Sequence, residues 1–210
     1  MTDLRSDGGF RMSNHALVVD NGSRSTSLIR RLLVEDGWLV TAVPVSAIPD
    51  IGPSVHAVIL TGTDVPVRDP LYDKEIELIR RCPVPLLGIC GGHQLIGRAF
   101  GVDIERTAAV VGRSRVRLCA DSPLNIGLPA EVELFQRHVY GLRRVPDDFL
   151  LAATSDTCEV EGIRHKTREL YGMQAHLEFR AEGRRILRAF LNRASDTATS
   201  LRRGLNQANR

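Results

Sequence analysis

Several things are scarce in this sequence, and each scarcity closes off a class of function. Its four cysteines, Cys82, Cys90, Cys119 and Cys158, form no C-x-x-C pair and no cluster with histidine. Neither a zinc site nor a disulfide framework is therefore expected, and no other metal or cofactor motif stands out. Nowhere do apolar residues run long enough to span a bilayer, and the N-terminus lacks the basic-then-apolar pattern of a secretory leader. The expected compartment is a reducing cytoplasm. Lysine is almost missing: of 28 basic residues only Lys74 and Lys166 are lysine. The 25 acidic residues leave a net charge of +3, too even a balance to argue for nucleic acid or a membrane surface as a partner.

What is present reads as one domain of alternating strands and helices. With 210 residues the chain can bury a full core. "HALVVD" (15–20) is a β-branched apolar run closed by the turn Asp20-Asn21-Gly22, and "STSLIRRLLVE" from Ser25 has helical spacing. "LVTAVPV" and "AVILT" follow as strands. "DKEIELIRRC" is an amphipathic helix with acids first and arginines last, which suits the helix dipole. Short strands alternating with helices predict a doubly wound α/β fold, its central sheet mostly parallel and flanked by helices. After Gly101 the texture changes, and a small, mostly antiparallel section is expected. "LYGMQAH" returns as a strand and "EGRRILRAFLNRA" closes as a helix. The expected division is a loose N-terminal tail over 1–14, a domain over 15–194 and a polar C-terminal tail over 195–210.

"VPLLGICGGHQLIGRAFG" (84–101) holds the chemistry. Gly88-Ile89-Cys90-Gly91-Gly92 has the G-x-nucleophile-x-G form of a strand-to-helix elbow, in which glycines let the backbone turn sharply beside a substrate. At the N-terminus of the following helix, free N–H groups and the dipole favour a thiolate. The Gly91 N–H is placed to receive an oxyanion. A small buried cysteine beside a glycine turn is the bland alternative, and the flanking strand and helix weigh against it. Cys82, Cys119 and Cys158 lack that context and are assigned to the fold.

Acyl transfer from a thiolate also needs a proton carrier. His15, His56 and His165 sit at strand ends or in a charged turn, and His93 lies inside the elbow helix. His176 ends a strand, where open α/β sheets place their sites, and Glu178 two residues on can orient its ring. A lone H-x-E is weak; with the elbow it becomes a Cys90–His176–Glu178 constellation.

These residues resemble the class I glutamine amidotransferases, and within them most closely the amidotransferase domain of GMP synthetase. The likeness covers about His15 to Ala194, including "LVVDNGS", the elbow G-I-C-x-G-H-Q and, at Gly172–Glu178, the run G-M-Q-A-H-L-E where the family's signature is G-x-Q-F-H-P-E. It implies a flavodoxin-like fold and hydrolysis of glutamine through a Cys90 γ-glutamyl thioester, without a cofactor. His176 would act as the acid and base, held by Glu178. An oxyanion hole would form from Gly91 with Gly62 or Thr63, and Gln94, Arg137 and His138 would bind the amino-acid end of the substrate.

The departures from the family pattern carry expectations of their own. The loop S-G-G-P is Thr61-Gly62-Thr63-Asp64 here, and the serine usual before His138 is Arg137. Ala175 and Leu177 replace Phe and Pro beside His176, so an opened space and a looser turn are expected there. With no P-loop in the sequence, the ammonia is expected to pass to a separate ATP-dependent synthetase. Two rival readings stay open: a stand-alone γ-glutamyl peptide hydrolase using the same triad, and a non-catalytic regulatory protein of the same fold.

Overall fold

The computed structural model describes residues 13–208. Nine strands and four helices follow in the order β1 (His15–Asp20), α1 (Thr26–Glu35), β2 (Leu39–Pro44), β3 (Ala57–Leu60), α2 (Asp73–Arg81), β4 (Leu86–Ile89), α3 (Gly91–Ala99), β5 (Ile104–Leu118), β6 (Glu131–Leu142), β7 (Phe149–Thr154), β8 (Gly162–His165), β9 (Leu170–Met173) and α4 (Ala181–Ala208). All the strands share one sheet, in the order β2-β1-β3-β4-β9-β8-β7-β5-β6.

Burial on both faces explains the short apolar strands. Along β1 the side chains alternate: Ala16 and Val18 join the core under α1 and α4, while Leu17 and Val19 join the core under α2 and α3. Every residue of β3, β4 and β9 is buried, which is why they read as continuous apolar runs rather than as alternation. Burying a side chain such as Leu86, Leu87 or Ile89 contributes about 1.5–3 kcal/mol, so a few such residues hold a strand that hydrogen bonding alone would not.

The sheet corrects the expectation of a mostly parallel one. β2, β1, β3, β4 and β9 pair in parallel. β9–β8, β8–β7, β7–β5 and β5–β6 pair antiparallel. The sheet is mixed, and the antiparallel section is neither small nor separate: it continues the same sheet from β9 outward. It also holds a strand that the sequence does not signal, β8, and its first two strands are long. β5 runs unbroken for 15 residues, against β6 with one register shift between Arg106 and Val110.

Most of the expected N-terminal tail lies outside the described residues. Asn14 is tied down: its carbonyl accepts from the Leu39 N–H, and its Nδ2 donates to Ser195 Oγ at 2.8 Å. The expected boundary at residue 195 is no structural break, because α4 continues through it. Its inner face there is made of alanines, with Ala194 and Ala198 buried, and Arg202 reaches His56 Nε2 at 2.8 Å. Among the described residues no helix is long and apolar enough to cross a membrane.

Candidate active site

β4 and β9 are adjacent parallel strands with Ile89 opposite Met173, so their carboxyl ends open on the same edge of the sheet. Cys90 follows the first and His176 the second. The Cys90 N–H donates to the Met173 carbonyl at 2.8 Å, locking the two ends together.

Among the described residues Cys90 is the one non-glycine with positive φ, at 52°. Such a conformation costs a side-chain-bearing residue of the order of 1–3 kcal/mol, and the packed elbow maintains it. The glycines are there for space. A Cβ on Gly88 would lie 2.5 Å from the Gly92 carbonyl carbon, and one on Gly92 would lie 2.6 Å from the Leu60 carbonyl oxygen. A Cβ on Gly91 would meet Thr63 Cγ2 at 2.5 Å and Thr63 N at 2.8 Å. Strand, helix and the Thr61–Thr63 turn therefore approach one another at backbone distance around the sulfur. Gly62 closes the ring: a Cβ there would sit 3.3 Å from His176 Cε1 and 3.5 Å from Cys90 Cβ.

His176 and Glu178 pair as the sequence predicted, Nδ1 to Oε1 at 2.8 Å, with Glu178 fully buried. Burial alone would depress the imidazole pKa; hydrogen bonding and charge from Cys90 and Glu178 override it and push it up to about 10. The ring is thus held ready as an imidazolium beside the sulfur. The other cysteines are of a different kind: burial pushes the Cys82 thiol up to about 11 and the Cys158 thiol up to about 12, so both stay protonated and inert. His93 is fully buried, bonded to the Val160 carbonyl and held neutral, its pKa driven down to about 3 by burial.

The expected opening beside His176 is not there. Ala175 and Leu177 point into the core, as side chains flanking an outward-facing one must. The walls of the His176 ring are Phe135 and Phe179, with centroids 6.2 and 5.8 Å away. The turn is not loose either, because the His176 N–H donates to the Phe135 carbonyl at 2.8 Å.

Two cavities meet at Cys90. A small one of about 140 Å³ is bounded by Ser23, Phe135, His176 and Phe179. A large one of about 740 Å³ is lined by Gly91, Gln94, Arg137, His138 and Tyr140 among others. Gln94 donates to the Tyr140 carbonyl at 2.8 Å and to Gln174 Oε1 at 3.1 Å. His138 is buried with neither ring nitrogen hydrogen-bonded among the described residues, and burial lowers its pKa. Arg137 borders both cavities and faces Asp64 at 3.9 Å. The other eight residues singled out in the sequence thus gather about Cys90, Glu178 through its bond to His176.

Sequence reasoning missed three contributors. Ser25 starts α1 but makes no cap with its hydroxyl, which donates to Glu178 Oε1 instead. Gln174, fully buried, points its Nε2 at Cys90 Sγ from 3.6 Å. Phe135 supplies the aromatic wall that position 175 lacks. The Gln174 position was visible in the G-x-Q-x-H-x-E run; Ser25 and Phe135 carried no local signal.

Comparison with known proteins identifies the family and the fold. The family model for class-I glutamine amidotransferases matches residues 17–194. The glutamine-hydrolyzing GMP synthase subunit of Methanopyrus kandleri is 33% identical over 181 residues, covering 83% of this chain and 95% of that protein. Its counterpart in Thermoplasma acidophilum is 32% identical over 184 residues, covering 83% and 90%. A crystal structure of a GMP synthase subunit from Thermoplasma acidophilum superposes with a TM-score of 0.82 at 30% identity, covering 90% of this chain and 98% of that one. A glutamine amidotransferase from Thermotoga maritima, at 19% identity and a TM-score of 0.69 over 90% of this chain and 85% of that one, shares the fold.

Proposed function

The chain belongs to the class-I glutamine amidotransferase family, and from that premise we propose that it hydrolyses glutamine and delivers the ammonia to a separate synthetase protein, as the names of the related GMP synthase subunits suggest for them. One observation carries the reading: a strained Cys90 at a helix N-terminus faces a His176 imidazolium held by a buried carboxylate, at the mouth of a substrate-sized cavity.

The Cys90 sulfur attacks the side-chain carbonyl carbon of glutamine. The carbonyl π pair moves to oxygen, which the N–H of Gly91 and one from Gly62 or Thr63 receive. As that pair returns, the C–N bond breaks and His176 gives its proton to the leaving ammonia, which leaves a γ-glutamyl thioester. Neutral His176 then takes a proton from water, the hydroxide attacks the thioester, and the sulfur departs to give glutamate. Glu178 fixes the ring and balances its charge. Gln94, Arg137 and His138 bind the amino-acid end of the substrate from the large cavity. The partner we assign is an ATP-dependent enzyme whose activated acceptor consumes ammonia, and the cytoplasm is the compartment where such a free thiol stays reduced.

Glutamate release by the purified chain, from glutamine and from a panel of γ-glutamyl peptides, tests this with Cys90→Ala as the blank. Preference for glutamine supports the amidotransferase reading. Release from peptides with glutamine ignored overturns it in favour of a stand-alone hydrolase, and Cys90-independent release removes the triad.

A further inference from the structure

Asn21, Thr61 and Glu75 are buried polar residues that no catalytic step uses, and they lie together under the Thr61–Thr63 turn. They come from three places in the chain: the turn after β1, the end of β3, and the first turn of α2. The Asn21 main-chain N–H donates to Thr61 Oγ1 at 3.0 Å. Its side-chain Nδ2 donates to the Thr61 carbonyl at 3.1 Å and to Glu75 Oε1 at 3.0 Å. Thr61 Oγ1 in turn donates to the Gly62 carbonyl at 3.2 Å. That carbonyl is therefore drawn inward, and across a planar trans peptide the Thr63 N–H points the opposite way. Thr63 N is the atom that a Cβ on Gly91 would meet at 2.8 Å. A line of hydrogen bonds thus runs from Glu75 to the peptide that packs against Gly91.

Two buried oxygens in this cluster have no partner among the described residues: Glu75 Oε2 and Asn21 Oδ1. Both belong to the two side chains already joined by the Nδ2–Oε1 bond. If Glu75 is ionised, both are buried acceptors with no protein donor among the described residues, which is costly. A proton on the carboxyl turns one of its oxygens into a donor and removes the charge, so fewer buried acceptors are left stranded. Burial raises the Glu75 pKa to about 7, against a smaller lowering by the Asn21 hydrogen bond, so the acid form is accessible at neutral pH.

The groups packed around Glu75 leave its charge unanswered. Tyr72, which bonds to Thr63 Oγ1 at 2.6 Å, is kept neutral by burial. Asp73 turns to solvent and pairs with Arg98 of α3. Asp69 is spent capping Leu71, and Asp20 accepts from Gly22, Ser23 and Thr26 at the start of α1.

We propose that Glu75 is a positioning residue for the oxyanion turn, acting as a neutral carboxylic acid that ties Asn21, and through it Thr61 and the Gly62–Thr63 peptide, into place. This rests on the glutamine-hydrolysis reading. Ionisation withdraws the donor and sets an unpaired charge beneath the turn. The peptide donor then loses its aim at the developing oxyanion, while the groups that bind the amino-acid end of glutamine are untouched. Turnover falls and substrate binding does not.

The test is kcat and KM for glutamine as a function of pH, for wild type and Glu75→Gln. The amide of the variant donates and accepts as the neutral acid does and cannot ionise. Wild-type kcat is expected to fall by tenfold or more with a midpoint near pH 7 at constant KM, well below the point near 10 at which His176 loses its proton. Glu75→Gln should hold its low-pH kcat across that range. A wild-type profile flat through pH 7, or an equal fall in the variant, overturns the proposal.

A second readout needs no variant enzyme to be active. Carbon-13 titration of the glutamate side-chain carboxyls of wild type should show Glu75 changing near pH 7. Glu161, the other buried carboxyl held above its ordinary range, is told apart by its own Glu161→Gln variant. A Glu75 signal at ordinary carboxylate pH also overturns the proposal. Absence of glutamine hydrolysis at every pH would instead fail the functional reading, with the titration of Glu75 still measured.

Discussion

The Ser25 hydroxyl donates to Glu178 Oε1, the same oxygen that accepts from His176 Nδ1. The hydroxyl that would cap α1 is diverted to the carboxylate that orients the imidazole. Hydrogen bonds to charged groups contribute roughly 1.5–3 kcal/mol, so Ser25→Ala should lower kcat for glutamine about tenfold with KM nearly constant. Steady-state kinetics decide it: an unchanged kcat would mean that Glu178 needs no second donor.

His176 is held protonated partly by Cys90, so removing the sulfur should release it. In Cys90→Ala the ring should titrate well below about 10, as read from its proton or nitrogen NMR shifts. The sign for stability follows from the raised value. In wild type this histidine contributes stability that is fully present below its ordinary pKa of 6.5 and is lost as pH rises toward about 10. The wild-type melting temperature should therefore decline more steeply over that window than that of Cys90→Ala.

The backbone at Cys90, with φ at 52°, makes the nucleophile a stability liability. Both Cys90→Ala and Cys90→Gly should lose all glutamine hydrolysis and keep the fold. Glycine adopts the elbow conformation without a Cβ penalty, so Cys90→Gly should be more stable than Cys90→Ala by about 1 kcal/mol or more in urea unfolding. Equal midpoints would mean that the elbow stores no strain.

Gly91→Ala drives a methyl into Thr63 Cγ2 and into Thr63 N itself. Displacing the turn that carries an oxyanion donor should cost about 10²–10³ in kcat. Adding Thr63→Gly removes the side-chain clash but not the main-chain one, so the double variant should stay impaired. Recovery of activity in that double variant would show that only the threonine methyl was in the way.

Arg137 borders both cavities with Asp64 as its acidic neighbour. If its guanidinium meets the substrate α-carboxylate, Arg137→Ala should raise KM for glutamine about tenfold and change kcat little. An unchanged KM would assign the arginine to another task.

Local signals made much of this legible. β1, α2 and the elbow could be read because apolar period, turn residues and helix charge are written within a few neighbouring positions. β8 was missed: a four-residue strand of glycine, isoleucine, arginine and histidine has neither alternation nor bulk. The far half of α4 was read as a tail because its buried face is built from alanines, which give no amphipathic contrast. The mistaken opening at Ala175 had a geometric cause. Residues next to an outward-facing His176 face inward, and the aromatic that packs on the ring comes from Phe135 on β6, the far edge strand, which bridges directly to His176. Ser25 meets Glu178 across 153 positions, and no window along the chain can see that.

The strand order has a consequence for how such a protein can change over time. β4 and β9 are hydrogen-bonded neighbours, yet the whole antiparallel run from β5 to β8 is threaded between them in the chain. Nucleophile and base are fixed to each other by the ladder and not by the length of what intervenes. The excursion can lengthen, shorten or re-edge its loops with the pair undisturbed, while β6 returns from it to present Phe135, Arg137 and His138 to the cavities. Within that excursion β6 is the part bound to the pair, through the Phe135 carbonyl at His176, so freedom to vary belongs to its loops and not to this strand.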